Sequence, residues 1–165
     1  MRVSMQTVVL AVLVGVAIAY FTLPSRAASS CTSWVTQMQE DEGGAVLTTS
    51  ACSDDATETL LQLRCFDRRL LVELDLAAGA DRTPETAETG EIEFVTDGGS
   101  VRVPVRFEEM TAYFAGEVPL EAPLLGLLQT QKGLLVRDSA ARYPARTYSL
   151  KGSRAALDAL VAECR

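Results

Sequence analysis

Four cysteines are the residues of this chain best suited to covalent or metal chemistry: Cys31, Cys52, Cys65 and Cys164. No two of them form a CxxC pair, and the chain contains no histidine. Structural zinc sites use closely spaced cysteine and histidine ligands. An even number of widely spaced cysteines is instead typical of disulfides in an oxidising compartment. The sequence therefore predicts two disulfides and no metal site.

Four cysteines allow three pairings, and the face of the strand or helix on which each cysteine lies indicates which pairing is favoured. A hairpin centred on the acidic turn 40–43 places Cys31 opposite Cys52 on the neighbouring strand. Cys65 ends an alternating strand pattern, and Cys164 falls on the apolar stripe of a C-terminal helical pattern, so both point inward. We therefore expect the pairs Cys31–Cys52 and Cys65–Cys164, the second of which would clamp the helix onto the sheet.

The other reactive residue types form no catalytic constellation. Because histidine is absent, Ser-His-Asp, Cys-His and HExxH chemistry are all excluded. The doublets Asp54-Asp55 and Glu108-Glu109 would have to act as an acid and a base, but adjacent strand residues point to opposite faces. We therefore predict solvated acids, no catalytic residues and no cofactor. A hydrolase would require acids that converge in one pocket, for instance Glu108 with Asp138.

Short alternating runs separated by turn residues predict an antiparallel sheet with one buried and one solvated face. We expect about seven or eight strands, a short insert helix with Pro123 in its first turn, and a C-terminal helix capped by Ser153. The predicted fold class is mainly β (α+β), an antiparallel β-sandwich or partly open barrel with these two helices. One extracytoplasmic domain would cover residues 28–165, with 77–90 as a mobile loop.

Two hairpins supply predicted strand registers. In LLQLRCFDRRLLVEL, a turn about Asp67-Arg68 places apolar residues opposite one another on the inner face. Asp-Arg is a poor two-residue turn, so we expect a loop wider by about one or two residues. In EIEFVTDGGSVRVPVRF, a turn over 97–100 places Phe94 opposite Val103, and Pro104 suggests a strand at the sheet edge.

Aromatic and leucine side chains near turns form a candidate interaction surface. The aromatic members adjoin glycine, proline or arginine, and the apolar insert 124–128 could hold a protein partner. Burial in the core is the alternative for these side chains. The candidate surface consists of Tyr113, Phe114, Leu124, Leu125, Leu128 and Tyr143.

The first 27 residues have the layout of a secretory signal peptide. Arg2 precedes an apolar run over 8–23, Pro24 ends the run, and small residues at 25 and 27 suit a cleavage site. The run is long for a cleaved signal, so an uncleaved inner-membrane anchor is the alternative. The formal net charge of −7 opposes binding to nucleic acid. We therefore expect a periplasmic protein, or one anchored in the inner membrane and facing the periplasm.

Two segments carry a family resemblance: Leu61 to Cys65, reading LQLRC, and Leu150 to Cys164, reading LKGSRAALDALVAEC. Together with an N-terminal strand that contains Trp34, they resemble small periplasmic proteins linked to type VI secretion, the VasI/TagO-like group. The resemblance implies a non-enzymatic envelope accessory or binding role with a protein partner, and no catalytic residues. A small cell-wall hydrolase or hydrolase inhibitor, and a membrane-tethered structural subunit, are the alternative functions.

Overall fold

The computed structural model describes residues 33–41, 43–55, 58–130 and 132–164. These residues form nine strands and two helices. The strands, β1 to β9 in chain order, are Val35–Asp41, Gly44–Cys52, Leu60–Phe66, Arg69–Leu74, Thr89–Thr96, Gly99–Glu108, Tyr113–Pro119, Gly133–Asp138 and Arg146–Ser149. The helices are α1, Pro123–Thr130, and α2, Ser153–Glu163.

All nine described strands belong to one antiparallel sheet in the order β1-β2-β3-β4-β7-β6-β5-β8-β9. The sheet is open between β1 and β9, but it curls far enough for β9 to reach the end of β2. Ser53 forms an isolated bridge with Tyr148, and the Asp54 N–H donates to the Thr147 carbonyl at 2.7 Å. The predicted mainly-β, α+β fold class is therefore confirmed as a single curled sheet.

The core lies between the inner face of the sheet and the two helices. Period-two alternation places the apolar residues of β3 and β4 on this face, where Leu61, Leu63, Leu70 and Leu74 are fully buried. On this side of the molecule α2 packs against β1, β2 and β3, and α1 packs against β6 and α2. Burial of each such side chain stabilises the fold by about 1.5–3 kcal/mol before the loss of conformational entropy is counted.

The β3–β4 hairpin has the predicted register, with Leu63 opposite Val72. Its turn is tighter than expected, because Phe66 pairs directly with Arg69. The two turn residues, Asp67 and Arg68, have φ angles of +47° and +61°. Positive φ at both central positions matches the right-handed twist of the flanking strands. Pairing of the apolar strands has therefore prevailed over the local preference of the turn.

Two other hairpin registers differ from the predicted ones by two residues. Glu40 pairs with Ala45, and Phe94 pairs with Val101. The β1–β2 turn closes at Gly44, one residue later than predicted, and the β5–β6 turn closes at Gly99, one residue earlier than predicted. These two glycines have φ angles of +113° and +134°. Only glycine tolerates such angles readily, so the glycine position sets each register. The register argument that placed Cys31 opposite Cys52 is therefore corrected.

The Cys65–Cys164 disulfide is confirmed, with a Cα–Cα distance of 5.4 Å across a sequence separation of 99. It joins the end of β3 to the end of α2. Cys52 is also disulfide-bonded, and its predicted partner Cys31 lies outside the described residues. The predicted targeting segment 1–27 lies outside them as well. In the part of the chain that the structure describes, neither helix is long and apolar enough to span a membrane.

The start of α2 differs from the sequence prediction. Gly152 is the N-cap residue, with φ +84° and no side-chain cap. Ser153 lies one position further on, and its single hydroxyl proton is shared between the carbonyls of Leu128 and Leu150, whose oxygens lie 2.6 and 2.8 Å from Oγ. Ser153 therefore joins the end of α1 to the start of α2 instead of capping the helix.

Candidate functional site

Most of the candidate surface predicted from the sequence is buried in the core. Phe114, Leu124 and Leu128 are fully buried, and Leu125 and Tyr143 nearly so. They are buried in part because α1 packs against both α2 and β6. These five side chains therefore pack internally and offer little contact area to a partner. Of the six residues, Tyr113 alone is half-exposed.

A groove of about 630 Å³ opens on the opposite, outer face of the sheet. Its volume falls in the range of sites that bind small ligands. We call it the outer-face groove. It is lined by Arg64, Leu71, Glu73, Thr86, Ala87, Arg106, Phe107, Glu108, Glu109, Met110, Thr111 and Ala115.

Strand register positions the floor of the outer-face groove. Arg64 of β3 pairs with Leu71 of β4, and Glu73 of β4 pairs with Ala115 of β7. Ala115 in turn pairs with Arg106 of β6. Directly paired residues point to the same face, so the five side chains form two rows across four adjacent strands. The small Ala115 leaves the space in the middle of the longer row.

The groove floor contains a closely held ion pair between Arg64 and Glu73. Arg64 Nε lies 3.1 Å from Glu73 Oε2, and its Nη2 donates to Oε1 at 3.2 Å. The Glu73 side chain is only 7% exposed. A carboxylate held by two guanidinium nitrogens is neutralised and positioned, which makes it a poor general acid or base. Arg106 makes no ion pair with any residue that the structure describes.

Tyr113 lies on the same face of β7 as Ala115. Burial raises the pKa of its hydroxyl, and the negative charges of Asp75 and Glu73 raise it further. The hydroxyl therefore stays protonated near neutral pH and can donate a hydrogen bond. The candidate surface predicted from the sequence thus contributes this one side chain near the groove.

The rim of the groove carries an exposed methionine. Met110 lies in the turn between β6 and β7 and is 93% exposed, the highest exposure among the large hydrophobic side chains described. Below it, the half-buried Phe107 packs on Phe114 with ring centroids 5.3 Å apart. The Thr86 hydroxyl donates to Glu109, which ties the segment 77–90 to the same rim. The exposed Met110 side chain therefore lies beside the packed aromatic pair Phe107 and Phe114.

A second cluster of charges lies under the segment 77–90 and is centred on Glu88. Its carboxylate is 2.7 Å from both Arg82 and Arg142 and accepts a hydrogen bond from the Tyr143 hydroxyl at 3.0 Å. Arg142 also binds Asp138 at 2.9 Å. These contacts anchor a segment predicted to be a mobile loop; its mobility stays a prediction.

The electrostatics of this second cluster are those of a structural network. Burial raises the pKa of Glu88, but the hydrogen bonds from the Glu85 N–H and Tyr143 and the charges of Arg82 and Arg142 together hold that pKa below its ordinary value. Burial and the contact with Glu88 raise the pKa of Tyr143 to about 12. Every charge here has an internal partner, so the cluster is satisfied without a ligand.

The acid pair required by the hydrolase hypothesis does not converge. Glu108 lines the outer-face groove, whereas Asp138 lies in a separate cavity and is bound to Arg142. Asp55, from the other doublet, binds Arg146 at 2.9 Å. No group of three acidic or cysteine side chains suited to a metal ion occurs within the described ranges.

No protein-family model, no curated protein and no solved structure matches the chain. The resemblance to the VasI/TagO-like group therefore stays a prediction. Sequence reasoning missed the groove because its floor is assembled from four strands, two of which are neighbours in the sheet but distant in sequence. A signal did exist in the segment EEMT at 108–111, where an apolar residue stands among polar ones.

Proposed function

We propose that this protein is a non-enzymatic accessory protein of the bacterial envelope that binds a protein partner through the outer-face groove. The N-terminal sequence and the cysteine content support export to the periplasm. The groove combines apolar side chains with charged ones, which are the two kinds of group that protein interfaces use. The proposed association with a secretion system depends on the sequence resemblance alone.

The exposure of Met110 carries this proposal. A methionine that is 93% exposed gains nothing from the fold, whereas a flexible thioether side chain adapts well to the surface of a partner. Half-buried Leu71 and Phe107 continue the apolar surface into the groove. Arg106 and Glu108 offer unlike charges at its sides, which would orient a bound segment.

Glu73 is held in an ion pair with Arg64, and the sequence contains no histidine. Both features favour binding over catalysis. A hydrolytic site would need a carboxylate free to exchange a proton and a second acid placed across the substrate. The groove instead holds its buried carboxylate against Arg64 at 3.1 Å. A partner would meet a preformed surface with little internal rearrangement.

Site-specific photocrosslinking in intact cells tests the proposal. A photoreactive residue is placed at Met110, and the control carries the same residue at Asp97, an exposed turn position between β5 and β6. We expect a defined crosslinked product from position 110 and none from 97. Adding Leu71→Lys in the groove floor should abolish the product, whereas Leu135→Lys, at a half-buried position on β8, should leave it unchanged.

Equal crosslinking from both positions, or a product that survives Leu71→Lys, would contradict binding at the groove. The intact mass of the protein recovered from the periplasm, before and after reduction, tests export separately. It reports whether the N-terminal segment has been removed and how many disulfides have formed.

A further inference from the structure

The strand β1 lies at the edge of the sheet, with β2 on one side and no described strand on the other. Exposed sheet edges are usually protected by lysine, proline or a bulge. The segment Val35–Gln39 contains neither lysine nor proline, and its Val35 and Met38 side chains are 48% and 59% exposed. An edge with uncharged, partly apolar side chains is a suitable template for another strand.

The direction of each backbone N–H and C=O group of β1 decides whether it can bond to a further strand at this edge. The Val35 carbonyl accepts a hydrogen bond from the Thr49 hydroxyl and therefore faces β2. Backbone groups alternate in direction along a strand, so those of Thr36, Met38 and Glu40 point away from β2. Trp34 lies two residues before Thr36, so its backbone groups should point the same way. Its N–H does point away from β2 and bonds to the Lys151 carbonyl at 3.1 Å.

The two ends of this edge carry opposite charges. The exposed Glu40 lies near the end of β1, and the sequence continues with Asp41 and Glu42. Lys151 lies at the beginning, bonded to Trp34, and Lys132 adjoins it through the bond from the Leu150 N–H. These are the only two lysines in the sequence, and both are exposed. Acid and base are therefore about 20 Å apart along seven residues of strand.

We propose that two copies of this protein associate by pairing their β1 strands antiparallel about a twofold axis at Met38. In this register Met38 lies opposite Met38 of the second copy, and Thr36 lies opposite its Glu40. All three outward-facing residues then exchange backbone hydrogen bonds, and the exposed Met38 side chains cover one another. The association is isologous and closes at two copies.

The charges favour a second copy over an unrelated strand. Antiparallel pairing brings the acidic end of each β1 to the lysines of the other copy. The twofold axis therefore creates two identical acid–lysine attractions. Parallel pairing would place the acidic ends together and is disfavoured. A single strand pair buries little area, so the dimer belongs to the weak class of interfaces and forms in a concentration-dependent way.

Sedimentation equilibrium of the full purified protein over a concentration series tests this association. Met38→Lys and Met38→Glu each place like charges at the twofold axis, and we expect each variant alone to lose at least about 90% of the dimer at concentrations where the wild type dimerises, since like charges directly opposite are destabilising. An equimolar mixture of the two variants should restore the dimer as a heterodimer. Because the residue is 59% exposed, both variants should unfold at the wild-type denaturant concentration.

Met110→Lys is the matched control, since it changes another exposed methionine far from β1 in the sheet order, and it should leave the dimer unchanged. A wild-type protein that stays monomeric throughout the series would overturn the proposal. So would a dimer insensitive to both Met38 variants, or a mixture that fails to restore it. The proposed partner binding is tested at the outer-face groove, so either result can fail independently of the other.

Discussion

At the scale of single residues, Arg142 connects parts of the chain that are distant in sequence. Its guanidinium binds Asp138 at 2.9 Å and Glu88 at 2.7 Å and lies over the Tyr143 ring. The space for it exists because residue 90 is glycine. A Cβ atom at Gly90 would lie 2.2 Å from Arg142 Nη2.

Gly90→Ala is therefore expected to displace Arg142 and to lower the free energy of unfolding by about 1–3 kcal/mol, as a buried charged network loses a partner. Urea denaturation measures this loss. Gly126→Ala is the matched control, because a Cβ there meets no atom within 4 Å and alanine favours the helix. That variant should be unchanged or slightly more stable. Equal stability of the two alanine variants would contradict the proposed role of Gly90.

Glu88 gives the network a pH dependence of known sign. Its pKa in the folded protein lies below the ordinary value of 4.5. It therefore contributes stability that is complete above pH 4.5 and is lost as the pH falls through the folded pKa. We expect Glu88→Gln to be less stable than the wild type near neutral pH, with the difference narrowing in acid. Unfolding curves from about pH 7 to about pH 3 test this, and a constant difference would contradict it.

At the scale of elements, the turn between β3 and β4 shows tertiary pairing overriding local preference. Arg68 adopts φ +61°, an angle that costs a side-chain-bearing residue about 1 kcal/mol relative to glycine. The register is held because Leu63 and Val72 face each other on the inner face. A one-residue slip would turn these side chains to solvent.

Arg68→Gly should therefore raise the free energy of unfolding by about 1 kcal/mol, since it removes the backbone strain. Arg68→Ala retains the Cβ atom and should give no such gain, which makes it the control. Thermal and urea unfolding of the exposed-turn variants measure the difference. A similar gain from both substitutions would show that the arginine side chain, and not its backbone angle, is responsible.

Pro104 illustrates an interpretation that only the sheet order could correct. Proline suggested an edge strand, yet β6 lies between β5 and β7. The β6–β7 ladder extends only from Arg106 to Glu108. Pro104 lies outside this ladder, so its missing N–H does not cost a hydrogen bond to β7. Gly116 permits the close approach there, since a Cβ atom would lie 2.4 Å from the Pro104 carbonyl oxygen.

At the scale of the whole molecule, the Cys65–Cys164 disulfide joins the sheet to the last helix. It closes a loop with a sequence separation of 99, and the chain-entropy model assigns such a loop about 4–5 kcal/mol of stability. The double variant Cys65→Ala/Cys164→Ala should keep its β-sheet circular dichroism but unfold at a lower urea concentration. An unchanged midpoint would mean that packing of α2 against α1 and the sheet suffices without the bond.

The sequence by itself determined the features that depend on local periodicity and composition. Alternating apolar residues specified the strands and the β3–β4 register, and the face pattern specified Cys65–Cys164. These predictions succeed because backbone geometry fixes the period at which side chains repeat along a strand or a helix. The predicted export segment and the resemblance also derive from the sequence, and they stay predictions.

The tertiary structure alone decided the features that depend on which strands become neighbours. The outer-face groove needs β7 beside β4, a pairing that no local pattern encodes. Leu124, Leu128 and Tyr143 are core residues because α1 and the turn after β8 are covered by distant elements. Glycine at 44 and 99 shifted two registers through its backbone freedom. Burial and site geometry are properties of long-range packing, so sequence periodicity constrains them without determining them.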